Sequence, residues 1–144
     1  MKMNRKAVIS LPIRLMVVFL ILAISTPALM NVLEENERTS SMTVMDREFS
    51  RFTDSVAKTH YSGINTTRTF SITVPDDCEV IIGGHGSDEY SIRAVYKGDV
   101  VMTRYMEQPP VVLISDLVLD PGEYELTMRS VLHQGRGAVE VLLS

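Results

Sequence analysis

The chain is predicted to be α+β: a long N-terminal helix, first transmembrane and then amphipathic, followed by a small antiparallel β-sandwich. Three observations carry this prediction. A basic leader precedes Leu15–Leu33, 19 residues without an ionisable group. Apolar residues then fall at 3-4-3-4 spacing from Met42 to Val56, the spacing of one helix face. From Thr67 onward the pattern changes to alternation interrupted by Gly- and Pro-rich turns, the mark of short strands. The expected divisions are 1–33 (leader and transmembrane segment), 34–62 (amphipathic helix) and 63–144 (extracytoplasmic β-sandwich).

Length and composition set the frame. The 144 residues amount to one domain and at most one appendage. A content of 45% apolar and 22% charged residues is that of a globular chain, neither disordered nor a polytopic transporter. A net charge of −4 argues against nucleic acid as a partner, because such binding draws on positive charge. The single cysteine, Cys78, excludes an intrachain disulfide framework and a Cys-rich zinc site.

The first element is the span. Residues 1–14 contain Lys2, Arg5, Lys6 and Arg14 and no acid, whereas residues 15–144 hold the other ten basic and all 18 acidic residues, a formal balance of −8. As a helix the 19-residue stretch is roughly 28 Å long, close to the hydrocarbon thickness of a bilayer. A positive flank is retained in the cytoplasm. The expected localisation is therefore the cell membrane, single-pass, with a cytoplasmic N-terminus and an extracytoplasmic C-terminal domain. Membrane lipid is the first expected partner. Three readings compete: a signal anchor, a secretory signal peptide cut after Thr26-Pro27-Ala28, and a buried core helix of a soluble protein. The flanking charges favour the anchor.

The second element, residues 34–60, holds no Gly or Pro and carries the stripe Met42, Met45, Phe49, Phe52, Val56. It reads as a helix continuing from the span, with a bend near Pro27 or residue 40 and an end before Ser62-Gly63. The stripe serves either a coiled-coil seam or packing on the chain's own β domain. Two heptads are short for the former, so the latter is expected.

The strands follow. Phe70, Ile72 and Val74 alternate with Thr69, Ser71 and Thr73. Further runs are Glu79–Ile82, Tyr90–Tyr96, Val100–Tyr105, Val111–Ile114 taken together with Leu117–Leu119, Glu123–Leu132 and Ala138–Leu143. Pro75-Asp76-Asp77, Lys97-Gly98-Asp99, Asp120-Pro121-Gly122 and Gly135-Arg136-Gly137 supply turns between them. Six or seven strands in about 80 residues predict a sandwich.

Catalytic chemistry finds little support. Gly83-Gly84-His85-Gly86 lacks the Lys-Ser/Thr and the βα setting of a phosphate loop and reads as a loop tip. His60, His85 and His133 are not at metal-ligand spacing. Cys78 follows two acids, which disfavour a thiolate. Asp76-Asp77 reads as a solvated turn, and the nine Met residues show no copper motif. No enzyme activity, cofactor or metal is expected. Asn65-Thr66-Thr67 is the chain's one Asn-x-Ser/Thr sequence, which makes Asn65 a candidate for N-glycosylation.

The leader ends Arg5-Lys6-Ala7 and the apolar helix begins Val8-Ile9-Ser10. This resembles the class III signal peptide of archaeal type IV pilin-like and archaellin-like proteins, in which a basic and then a small residue precede the cut. The layout of apolar helix, amphipathic extension and exterior β-sandwich is similar to theirs as well. The resemblance implies cleavage between Ala7 and Val8, with Lys6, Ala7 and Val8 as the processing site. It also implies homo- or hetero-oligomers through the N-terminal helix. Pro12 stands where many bacterial-type pilins have Glu, and Arg14 lies within the helix. Both favour a minor pilin or a non-polymerising relative over a major filament subunit.

Two functions are therefore expected as alternatives. One is a pilin-like, membrane-anchored cell-surface protein with a structural or assembly role. The other is a signal-anchored extracellular β-sandwich module that binds an envelope carbohydrate or protein.

Overall fold

The structure, a computed structural model, describes residues 5–107 and 109–144, with side chains described from Ser10 onward. The order is α1 (Arg5–Tyr61), β1 (Thr67–Val74), β2 (Cys78–Gly83), a 3₁₀ turn (Gly86–Tyr90), β3 (Ser91–Tyr96), β4 (Asp99–Tyr105), β5 (Val112–Ile114), β6 (Asp116–Leu119), β7 (Gly122–His133) and β8 (Arg136–Leu143). The chain is α+β, and it divides into two compact units, one ending at Ser40 and the other running Ser41–Ser144.

Helix α1 includes Pro12, Pro27 and the Ser40-Ser41 pair. Proline removes one main-chain donor from a helix. At Pro27 this leaves the Ala23 carbonyl without its usual partner. One residue earlier, the Thr26 hydroxyl donates to the Leu22 carbonyl at 2.6 Å, which satisfies a polar side chain inside an apolar segment.

In the unit Ser41–Ser144 the strands form two four-stranded sheets, ordered β1-β7-β8-β5 and β4-β3-β2-β6. Alternation decides which side chains face inward. Phe70, Ile72 and Val74 of β1, Leu126 and Met128 of β7, and Val139 and Val141 of β8 are buried from the first sheet. Cys78, Val80 and Ile82 of β2 and Ile92 and Ala94 of β3 are buried from the second. They share one core with Met45, Phe49, Phe52 and Val56 of α1. Those four helix residues are at most 1% exposed, so the stripe packs on the sheets as expected. Phe52 meets Phe70 edge to face at 5.8 Å, a favoured aromatic geometry.

Polar contacts fasten the same helix segment to one outer strand of each sheet. Glu48 accepts the Thr73 main-chain N–H of β1 at 3.3 Å. Arg104 of β4 donates to Ser50 Oγ at 3.1 Å and pairs with Asp46. Strands β1 and β4 are both sheet edges, and exposed edges invite unwanted pairing. The helix thus covers an apolar face and satisfies part of a sheet edge at once.

The strands differ from those expected in three ways. The run Val111–Leu119, taken as one, is two strands in different sheets: β5 pairs with β8 and β6 with β2. The chain crosses at Ser115, whose N–H bonds to the Leu113 carbonyl two residues back at 3.0 Å. The count is therefore eight among the described residues. The antiparallel pattern has one exception, because β5 and β8 run parallel. The last turn also shifts. Gln134 and Gly135 carry the positive φ angles of 50° and 76°, while Arg136 and Gly137 already belong to β8. The turn expected at Lys97-Gly98-Asp99 is a tight hairpin between β3 and β4, with φ of 49° at Lys97 and 89° at Gly98, as such turns require.

Gly83 lets the crossover close. Its φ is +75°, and a Cβ there would meet the Ser115 carbonyl oxygen in hard overlap and the Leu113 carbonyl oxygen at 3.0 Å. Only a residue without a side chain fits both demands.

Candidate functional site

The first candidate feature is the apolar segment of α1. Leu15, Met16, Val17, Phe19, Leu20, Ile21 and Leu22 are each about half exposed or more, as are Ile24, Leu29, Met30, Val32 and Leu33. The helix is long and apolar enough to cross a membrane, and none of its most apolar stretch is buried. Exposed apolar area of this extent marks a surface that meets lipid or protein. The chain thus has a transmembrane-capable N-terminal helix, the mark of a membrane anchor or a signal sequence.

The expected processing residues Lys6, Ala7 and Val8 fall within α1, but their side chains lie outside those described. Residues 1–4 of the leader lie outside the described residues altogether.

The sandwich surface offers shallow grooves. One, of about 300 Å³, lies among Thr53, Asp54, Arg104, Tyr105, Met106 and Glu107. A neighbouring hollow of about 420 Å³ shares Tyr105, Met106 and Glu107 and adds Ser87, Tyr90 and Pro110. The Met106 N–H donates to the Tyr90 carbonyl at 2.7 Å, which fixes the exit of β4 against the 3₁₀ turn. Tyr105 is 47% exposed. The result is a trough with two tyrosines, two acids and one arginine on its walls. The sequence held no signal for it, because residues from α1, β4 and the 3₁₀ turn meet only in the fold.

A third groove, of about 490 Å³, brings His85 and His133 onto one surface with Glu89 and Glu140, residues far apart in the chain. No group of three or more His, Cys, Asp or Glu side chains able to hold a metal ion occurs among the described residues. Gly84-His85-Gly86 leads from β2 into the 3₁₀ turn, a loop as read from the sequence. Behind it Arg93 donates to the Gly83 carbonyl at 3.0 Å and to Asp88 Oδ2 at 3.2 Å, so its guanidinium ties the turn to the end of β2.

Cys78 is fully buried. Burial first, and the adjacent Asp77 carboxylate second, push its thiol above the ordinary value. Both disfavour the thiolate that a nucleophile needs. Glu48 is the buried acid that the sequence reading missed. It is 2% exposed and takes Arg51 Nη1 at 2.9 Å as well as the Thr73 N–H. Its one sequence signal is its place three residues after Met45 and one before Phe49, on the flank of the buried stripe. Asn65 lies in the α1–β1 connection and is exposed.

Comparison with protein-family models, curated proteins and solved structures gave no match. A long apolar N-terminal helix followed by β-sheets is nonetheless a pilin-like architecture in its own right.

Proposed function

We propose that the protein is a pilin-like, membrane-anchored cell-surface protein with a structural or assembly role, of the minor or non-polymerising kind. One observation supports this above all. The apolar stripe of Met45–Val56 is fully buried, whereas the apolar side chains of Leu15–Leu33 are exposed throughout. The first stretch completes a core. The second remains to be covered by lipid or by the apolar helices of other chains. The basic leader sets the orientation, N-terminus inside and β domain outside. Arg14 is exposed within the helix, and at a membrane boundary it reaches the headgroups. In the centre of a helical filament it would be a buried charge without a partner. No catalytic role is proposed.

The Tyr90–Tyr105 trough favours a second reading, a surface module that binds an envelope carbohydrate. Tyrosine faces and flanking acids suit sugar rings and their hydroxyls.

Protease protection on intact cells tests the first reading. A tag after Ser144 should be removed while the cells are intact, and the protein should stay with the membrane through alkaline washing. A tag protected until lysis would reverse the orientation. Release by the wash would remove the anchor.

A further inference from the structure

We propose that Asn65 is an acceptor for N-linked glycan, transferred from a polyprenyl-phosphate-linked oligosaccharide outside the membrane. The proposal rests on the exterior placement of the β domain.

The geometry goes beyond the sequence motif. Asn65 and Thr67, the two residues that a transferase reads, are both exposed. The chain around them is also open, with Tyr61, Ser62, Gly63 and Ile64 all exposed. Gly63–Thr66 forms a reverse turn closed by the Thr66 N–H on the Gly63 carbonyl at 3.3 Å. Asn65 holds its third position with φ +68°, a conformation that asparagine tolerates better than other residues with side chains. The turn is anchored from below. The Asn65 N–H donates to the Ser130 carbonyl at 2.8 Å, and the Ser130 N–H to the Thr66 carbonyl at 2.9 Å. Main-chain polar groups are therefore spent on the fold, and the side-chain amide projects from a fixed turn. A Cβ added at Gly63 meets nothing within 4 Å, so space is open beside the site.

The transfer balances without an oxidant. The amide nitrogen of Asn65 bonds to the anomeric carbon of the glycan. The bond from that carbon to the lipid-linked phosphate breaks, and the phosphate leaves with the electron pair. The amide proton passes to a base of the transferase.

The turn gives Asn65 a structural reason to exist as well, and the test must separate the two. The full-length protein is purified from membranes of its own cells, and the peptide that carries Asn65 is examined by mass spectrometry. The same is done for Thr67→Ala, which keeps Asn65 and its turn, and for Thr67→Ser, which keeps the motif. The native and Thr67→Ser proteins should carry a mass increment of one or more sugar residues on Asn65, and Thr67→Ala should carry none. An unmodified Asn65 in the native protein overturns the proposal, as does an increment that survives Thr67→Ala. A tag after Ser144, scored by protease on the same cells, distinguishes the causes of failure. Bare Asn65 with an exposed tag refutes the glycan alone, whereas bare Asn65 with a protected tag refutes the exterior placement too.

Discussion

The carboxylate of Glu48 on α1 accepts the main-chain N–H of Thr73 on β1 at 3.3 Å, from a side chain that is 2% exposed. A helix side chain thus does what a neighbouring strand would otherwise do for a sheet edge. Arg51 Nη1, 2.9 Å away, balances the charge, and the Arg51 guanidinium also lies 5.2 Å from the centre of the Phe70 ring. Glu48→Ala removes the acceptor and should cost about 1–3 kcal/mol. Glu48→Gln keeps an oxygen for Thr73 and should cost less. Urea unfolding of both variants measures it, and equal losses would show that the Thr73 bond contributes nothing.

The stripe separates packing from association. A truncated chain of residues 41–144 should be a folded monomer by sedimentation. Phe52→Asp should unfold it or lower its Tm sharply, because the charge would sit where Phe52 is 0% exposed. A dimer that becomes a stable monomer on the same substitution would assign the stripe to a seam between chains.

Gly83→Ala should be among the most damaging single-methyl changes in the chain. The added Cβ meets main-chain oxygens of Ser115 and Leu113, and these cannot rotate away as a side chain can. A loss of about 1–3 kcal/mol or more is expected from overpacking together with the positive φ. Gly135→Ala, also at positive φ but with nothing within 4 Å, should cost only the backbone strain. Similar losses at both sites would argue that overlap at the crossover is unimportant.

Cys78 gives a pH dependence with a definite sign. Its thiol is raised in the folded state by burial and by Asp77. The folded chain therefore keeps this proton at a pH where the unfolded chain releases it. The stabilising contribution is complete below the ordinary thiol value and is lost as pH rises through the raised one. Relative to Cys78→Val, the native protein should lose stability progressively above about pH 8.5. A difference between the two proteins that is constant with pH would contradict this.

Most of the architecture is legible in the chain because each element announces itself locally. The 3-4-3-4 spacing of Met42–Val56 fixes which helix face is buried. Lys97-Gly98 fixes a hairpin because the turn needs two positive φ angles. Val111–Leu119 misleads because the switch of sheets at Ser115 involves neither Gly nor Pro. The room for it is made by the distant Gly83, where a Cβ would overlap the crossing main chain. The parallel pairing of β5 with β8 is likewise a long-range choice that alternation cannot express. Glu48 reads as one more charge on a polar face until Thr73 is placed opposite. The Tyr90–Tyr105 trough is illegible for the same reason, since its walls come from three separate elements.

The mass of the mature chain recovered from the membrane is the most direct test of the pilin-like reading. Prepilin-type processing predicts a chain that begins at Val8, and Lys6→Asp should block the cut. An intact N-terminus would contradict that reading and favour the signal-anchored binding module. A chain that begins at Leu29 and is found outside the membrane would contradict both, because the span would then have been a signal peptide.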